Sequence, residues 1–512
     1  IKQRQDLQEW KEARYKQHDQ YEIQGMFGAP EPLPDQANVL PLIWTYVIKA
    51  DGTKKARCVC DGSPSRKGSV TLGHTYANAL EQPSARLFWA LAAKQNLIVV
   101  GADVSNAFAE APPPKAPLYV TIDDAFHDWW VNHKKREPIP KGYVMRVLHA
   151  IQGHPEAPRL WEQLIDGILR NKLSFQSTTH EPCLYSTIME ESRVNFLRQV
   201  DDFAIASKTE ELAHQIIQDI NQHMTIQVKN LGILTRFNGV DIDQTKHYIK
   251  IHATTYLEKV FRNHPWLINE LPLAPNITPM LADNKYLHTL EQATGPESEQ
   301  EQKRLQQQYG IHYRASIGEL IYAMVTCRPE ISEAVIKLSQ YSANPAGVHY
   351  DAVKQVLRYL YHTKTHGIYY WRDEPMNHPS LPDGEFPTLS PDNYCPNTVP
   401  DSINLQAFVD SDWAGDTSHR KSVTGIAIFY AGGLIGYKSK LQDTIAHSST
   451  EAEFVAACDA GKMILYFRSI LDDLGLLQQN ATVLYIDNHG ALMMAQAKQP
   501  TKRTRHIDIK HF

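Results

Sequence analysis

Hydrophobic and polar positions follow two periods along this chain, and the switches between them divide it. A charged stretch over 6–17 has helical character and gives way to the turn residues Gly28, Pro30, Pro32 and Pro34. From Pro41 the pattern is strand-like: 44–48 and 56–60 flank the turn signal at 50–52, which predicts a hairpin. A helix is predicted over 84–94, a buried strand over 96–100 that runs on toward Asp103, and a helix over 158–173. A second hairpin is predicted from 194–198 and 203–206, with Val200, Asp201 and Asp202 between them, and a helix over 211–223. From 246 to 370 the spacing is mostly helical, most clearly over 316–324 and 352–360. The stretch 372–400 is rich in Pro, Asp and Asn, keeps no period and reads as a linker. A new αβ pattern starts near Asn404 and runs to the end, and no internal repeat is found.

Composition narrows this only a little. A chain of 512 residues, 42% hydrophobic and 21% charged, is long enough for several packed domains. The formal net charge of −5 gives no global basic field, yet local cationic stripes coexist with an acidic remainder, as at 134–136 and 501–506. The six cysteines are scattered, without paired C-x-x-C spacing, and are expected to be buried reduced thiols. No run of about 18 apolar residues is present, so neither a membrane span nor a signal peptide is expected. A chain that opens on Ile1 and stops at Phe512 is expected to be cut from a larger polyprotein.

The interruption at 200–202 raises the chemical question. Asp201 and Asp202 stand where an apolar run should continue, and adjacent carboxylates repel unless a cation lies against them. Mg²⁺ takes oxygen ligands, and two such ions bridged by carboxylates stabilise the attacking and leaving oxygens of a phosphoryl transfer. The strand that ends at Asp103 supplies a further carboxylate, which only tertiary structure can bring to Asp201. A lone V-D-D is more often a solvated turn, and a lone Asp at a strand end more often a cap. Order and company change the weighing.

In that order the pieces resemble the reverse transcriptase of copia-type LTR retrotransposons. Gly52-Thr-Lys-Lys-Ala-Arg57 is similar to the family's fingers hairpin, and Asp103-Val-Ser-Asn-Ala-Phe108 to its first palm motif. Gln152-Gly-His-Pro-Glu-Ala-Pro158 with Arg159-Leu-Trp161 resembles the second, and Val200-Asp-Asp202 the third. Lys229-Asn-Leu-Gly232 and Arg236-Phe-Asn-Gly239 resemble the later palm and primer-grip motifs; Tyr313-Arg-Ala-Ser-Ile-Gly318 and Thr326-Cys-Arg-Pro329 resemble the region beyond the palm. The resemblance implies an α/β (α+β) multidomain chain: an extension over 1–40, fingers and palm of a right-hand polymerase fold over 41–245, a thumb and connection over 246–371, a linker over 372–403 and an RNase H-like αβ domain over 404–512.

It also implies roles. Asp103 and Asp201 would hold two Mg²⁺ (or Mn²⁺) ions, with Asp202 shaping the site. Arg57 and Lys49 would neutralise the triphosphate of a dNTP. Phe108 would exclude a ribose 2′-OH, Gln152 would touch nucleotide or template, and Gly153 would admit a close backbone. Lys229 would protonate the leaving pyrophosphate, and Phe237 and Gly239 would form the primer grip. The bland readings are a solvated hairpin edge for Lys49, a core side chain for Phe108 and an ordinary surface lysine for Lys229. The chain departs from the family at Gln199, where Tyr is usual, and at Pro155 and Glu156, where Lys and Gln are common.

The C-terminal segment repeats the logic. Asp410 lies in a strand pattern, Glu451 and Glu453 open a helix after cap residues at 448–450, Asp487 ends another strand, and Asp508 closes the set. Asp410, Glu453, Asp487 and Asp508 resemble the acidic order of RNase H, which implies a second two-metal site. For either Glu alone, the bland reading is an acid placed near a helix N-terminus. The implied partners are RNA template, DNA primer, RNA/DNA hybrid and dNTP, with no membrane and an oligomeric state left open. The implied location is cytoplasmic, within virus-like particles, with a product destined for the nucleus. The alternative is a non-catalytic remnant, or one with RNase H alone.

Overall fold

The computed structural model describes residues 7–48, 52–63, 75–269, 278–281, 283–385, 404–416 and 420–497. Its central feature is a six-stranded antiparallel sheet, ordered Lys229–Ile233, Ile98–Asp103, Asp202–Ser207, Ser192–Gln199, Leu184–Met189, Gln176–Ser177. The inner strands are apolar on both faces because both are covered. Val99, Ala204 and Ala206 pack toward the helix Gln82–Lys94. Val100, Ala102, Phe203 and Ile205 pack against the helices Ala157–Asn171 and Glu210–Asn221 on the other side. An acid in such a strand is tolerable only at its end, where both sequence motifs put one.

The predicted first hairpin forms from Leu42–Ile48 and Lys54–Cys60, with Ala56, Cys58 and Cys60 buried and Lys55 and Arg57 exposed between them. The N-terminal helix runs over Leu7–Ile23, beyond the predicted end at residue 17, and buries Trp10, Gln17, His18 and Tyr21. His18 sits among Trp44, Phe126 and Trp129, and burial pushes its imidazole down to about 3, so it is a neutral core ring. A small four-stranded sheet, Glu31–Pro32, Tyr143–Arg146, Leu118–Thr121 and Asn38–Leu40, completes this part; its short strands carry too little pattern to be read.

One expectation is extended and another corrected. The region 246–370 is not only helical: Tyr248–His252 and Gly367–Trp371 pair in register, joining Arg236–Phe237 and Val240–Gln244 in a four-stranded sheet. The linker expected from residue 372 starts later. The Arg372 guanidinium donates to the carbonyls of Thr245 and Leu97, and Met376 and Leu381 bury against Ile98. Polar composition hid these anchors. Residues 386–403 lie outside the described residues.

The C-terminal unit is a four-stranded sheet ordered Gly433–Leu441, Lys421–Tyr430, Gln406–Asp416, Val483–Tyr485. Its first three strands are antiparallel and the fourth is parallel to Gln406–Asp416, with the 25-residue helix Ser449–Asp473 packed on it. This unit shares one continuous apolar core with the helix Gln82–Lys94 and the helix Tyr313–Thr326. At the junction Arg86, 3% exposed, donates to the carbonyls of Ile435, Val325 and Thr326 and to the Tyr437 hydroxyl, and stacks on the Tyr437 ring. Arg86→Met would leave the buried carbonyls of Ile435 and Thr326 without this donor, at about 1–3 kcal/mol for each unpaired group. The expected result is a clear fall in the denaturant midpoint, with the C-terminal unit released first.

Candidate active site

The register of the central sheet builds the first site. Asp103, the last residue of its strand, is the cross-strand partner of Asp202, the first residue of the next. Asp201 lies in the tight turn between Gln199 and Asp202, and its carbonyl accepts from Val104 N–H at 2.9 Å. The turn holds Val200 at φ +55°, a conformation that costs a β-branched residue about 1–3 kcal/mol. The Trp161 indole N–H holds it there by donating to the Val200 carbonyl at 2.7 Å. Below the turn, the buried Arg198 pairs with Glu162 at 2.9 Å, and Glu162 also accepts from Asn78.

Electrostatics fit a site that needs a cation. Burial, then the charges of Asp201 and Asp103, push Asp202 up to about 6. Burial and Asp103 also raise Asp201, while Arg57 and Lys55 pull it back. Asp103, Asp201, Arg57, Phe108 and Gln152 all line one cavity of about 390 Å³. Asp202 is not among the residues lining it.

The other residues singled out in the sequence are distributed unevenly. Lys229 is exposed and is a cross-strand partner of Asp103, but it does not line the cavity. Gly153 has φ +95°, and a Cβ there would lie 2.1 Å from the Cys60 carbonyl oxygen. The backbone it admits is therefore that of the hairpin strand Lys54–Cys60, fastened by Cys60 N–H to the Gln152 carbonyl. Gly153→Ala should cost about 2–4 kcal/mol from strain plus overlap, measurable by chemical denaturation. Phe237 is corrected: it is 5% exposed, packs edge-on against Trp89 and is a core residue, so its side chain offers no grip to a primer. Gly239 turns at φ +80° beneath Tyr322, whose hydroxyl leaves no room for a Cβ. Gln199 uses its side-chain oxygen to accept from Leu80 N–H at 3.2 Å. Lys49 lies outside the described residues.

The second site gathers more tightly. Asp410, Glu453 and Asp487 bring carboxylate oxygens within 4.8 Å of one another, the one such set of three among the described residues. Asp410 comes from the strand, Asp487 from the loop after Val483–Tyr485, and Glu453 from the helix, where it is buried. One Glu453 oxygen accepts from Ser411 N–H at 2.9 Å, and the other is buried with no hydrogen-bond partner. Burial, then Asp410 and Asp487, push Glu453 up to about 7. An orphaned carboxylate oxygen facing two more acids fits a divalent cation. Glu451 does different work: Ser448 caps its N–H while its carboxylate accepts from His447 N–H. Asp508 lies outside the described residues.

Some cavity residues carried no readable signal. Lys16, Gln17 and Gln20 of the N-terminal helix line the same cavity as Asp103. A charged helix shows its period but not which face meets a cleft.

Comparison with known proteins agrees with the motifs. A family profile described as reverse transcriptase (RNA-dependent DNA polymerase) matches residues 31–281. The retrovirus-related Pol polyprotein from transposon TNT 1-94 of Nicotiana tabacum is 28% identical over 94% of this chain and 33% of its own length. That from transposon RE2 of Arabidopsis thaliana is 27% identical over 99% of this chain and 32% of its own length. A solved foamy viral protease-reverse transcriptase in complex with double-stranded DNA aligns loosely, with a TM-score of 0.46 and 14% identity, over 93% of this chain and 62% of that one. Residues 31–281 belong to the reverse-transcriptase family, within a chain similar over nearly its whole length to copia-type retrotransposon Pol polyproteins. The chain spans about a third of the length of these curated relatives.

Proposed function

We propose that the chain synthesises DNA on RNA and DNA templates from dNTPs, and cuts the RNA strand of the resulting hybrid at a second site. The observation that carries this reading is the pairing of Asp103 with Asp202 at one end of the central sheet, beside a cavity that also holds Asp201 and Arg57. Asp103 and Asp201 are the residues that would hold Mg²⁺ (or Mn²⁺) in the polymerase site, and Asp410, Glu453 and Asp487 those in the nuclease site. When bound, such ions supply Lewis-acid stabilisation of the oxygens that gain charge in phosphoryl transfer.

The chain's own groups do the rest. Arg57 offsets triphosphate charge, Phe108 walls the sugar position, and Trp161 fixes the acidic turn so that little reorganisation accompanies reaction. Hybrid binding is dominated by phosphate contacts and weakens as salt rises. The test is primer extension on an RNA template with and without Mg²⁺, together with cleavage of a labelled hybrid. The tighter acidic cluster of the C-terminal unit favours one second reading, a chain whose nuclease site alone is active. Cleavage without any dNTP incorporation would select it.

A further inference from the structure

The N-terminal helix walls the nucleotide cavity from outside the stretch matched to the family, which starts at residue 31. We infer that this helix is a working part of the nucleotide site: Lys16 contacts the triphosphate of the incoming nucleotide, and Gln20 positions the loop that carries Phe108. The inference rests on the polymerase reading above and adds two residues to it.

Ala13, Lys16, Gln17 and Gln20 fall on one face of the helix, and all four line the cavity shared by Asp103, Asp201 and Arg57. The cavity thus carries charges of both signs: the acids Asp103 and Asp201 for metal, and the cations Lys16, Lys55 and Arg57. Lys54, which also lines it, is engaged by Glu9 and lies over the Trp10 ring. A metal-bound polyphosphate matches that combination of charges. At about 390 Å³ the space suits a small molecule rather than a duplex. Gln17, also on the cavity wall, is 4% exposed, and its side-chain nitrogen is buried without a hydrogen-bond partner.

The helix also holds the loop after Asp103 at both ends. The Asn106 amide donates to the Gln20 side-chain oxygen at 3.0 Å, and Gln24 donates to Glu110 at 2.7 Å. Asn106 sits at φ +51°, directly before the short turn Ala107–Glu110 that presents Phe108. The helix itself is fixed: the Tyr21 hydroxyl donates to the Cys58 carbonyl, and Lys134 pairs with Asp19 and Glu22. A cation and a loop clamp carried on a fastened helix are placed to set nucleotide affinity and sugar selection.

Steady-state primer extension with the full chain tests this, using dTTP, the pair dUTP and UTP that differs only at the 2′ position, and the variants Lys16→Ala, Lys16→Glu, Lys16→Arg and Gln20→Ala. Lys16→Ala should raise KM for dTTP about tenfold, the loss of one charged contact, with kcat within twofold. Lys16→Glu should raise KM further, and Lys16→Arg should restore it. Gln20→Ala should raise use of UTP relative to dUTP several-fold. Lys16 is exposed, so its substitutions should leave the unfolding midpoint unchanged. An active wild type whose KM is unmoved by Lys16→Glu overturns this inference and leaves the polymerase reading intact. A wild type that incorporates nothing overturns both.

Discussion

Asp201→Asn is expected to abolish nucleotide incorporation, by about a thousandfold or more, while leaving the fold and hybrid cleavage in place. The side chain keeps its size, so the turn between Gln199 and Asp202 keeps its shape. What disappears is one of the two carboxylates that line the cavity. Metal-assisted charge stabilisation is worth several kcal/mol in the transition state, and each 1.36 kcal/mol is a factor of ten in rate. Stability should not fall with activity. Asp201 is raised by burial and by Asp103, so removing its charge relieves repulsion. Asp202→Asn should cost less, because Asp202 does not line the cavity. Single-turnover extension of a labelled primer on RNA, beside a denaturation curve for each variant, measures both effects.

The second large effect is expected at the other site. Asp487→Asn should reduce cleavage of the RNA strand in a hybrid by about a thousandfold, on the same reasoning, and leave dNTP incorporation within about twofold. Asp487 is one of three acids whose oxygens already converge, so losing one breaks the set. Protonation adds a signature. Glu453 has its ordinary value raised to about 7, so below that pH it carries a proton that a cation must displace. Metal affinity at this site should therefore rise with pH up to about 7 and level off above it. In Glu453→Gln that proton is gone, and the residual metal affinity should be nearly flat over the same range. Isothermal titration of Mn²⁺ at pH 6, 7 and 8 reads both slopes.

The parts of this fold that could be read in the sequence are those where chemistry breaks a packing pattern. Two acids inside a run buried on both faces have few physical explanations, and the register of Asp103 with Asp202 supplies one. The helical period over 158–173 is strong because that helix buries one face on the sheet, whereas the helix over 84–94 reads as an apolar run because it is buried on all sides. Hydrophobic motif residues were harder, since packing and function ask for the same side chain. Phe237 belongs to the core for that reason. The strands Tyr248–His252 and Gly367–Trp371 are hard to read because each is short, and the only strand partner of Gly367–Trp371 among the described residues is remote in the chain. The choice of Glu453 over Glu451 had a local basis available. Ser448-x-x-Glu451 is a capping pattern, which occupies Glu451 and leaves Glu453 for the cluster. Gln199 illustrates the limit of a motif. Its position was legible, yet its bond to Leu80 N–H depends on a loop distant in sequence.

The central claim is metal-dependent DNA synthesis at the Asp103–Asp201 site, and one measurement addresses it most directly. Purified chain is given a DNA primer annealed to an RNA template, with dNTPs, with Mg²⁺ or with chelator, beside Asp201→Asn. The expected result is full extension with Mg²⁺, none with chelator and none by the variant. Extension that persists in Asp201→Asn, or its absence in the wild type with Mg²⁺ and Mn²⁺ each supplied, would contradict it.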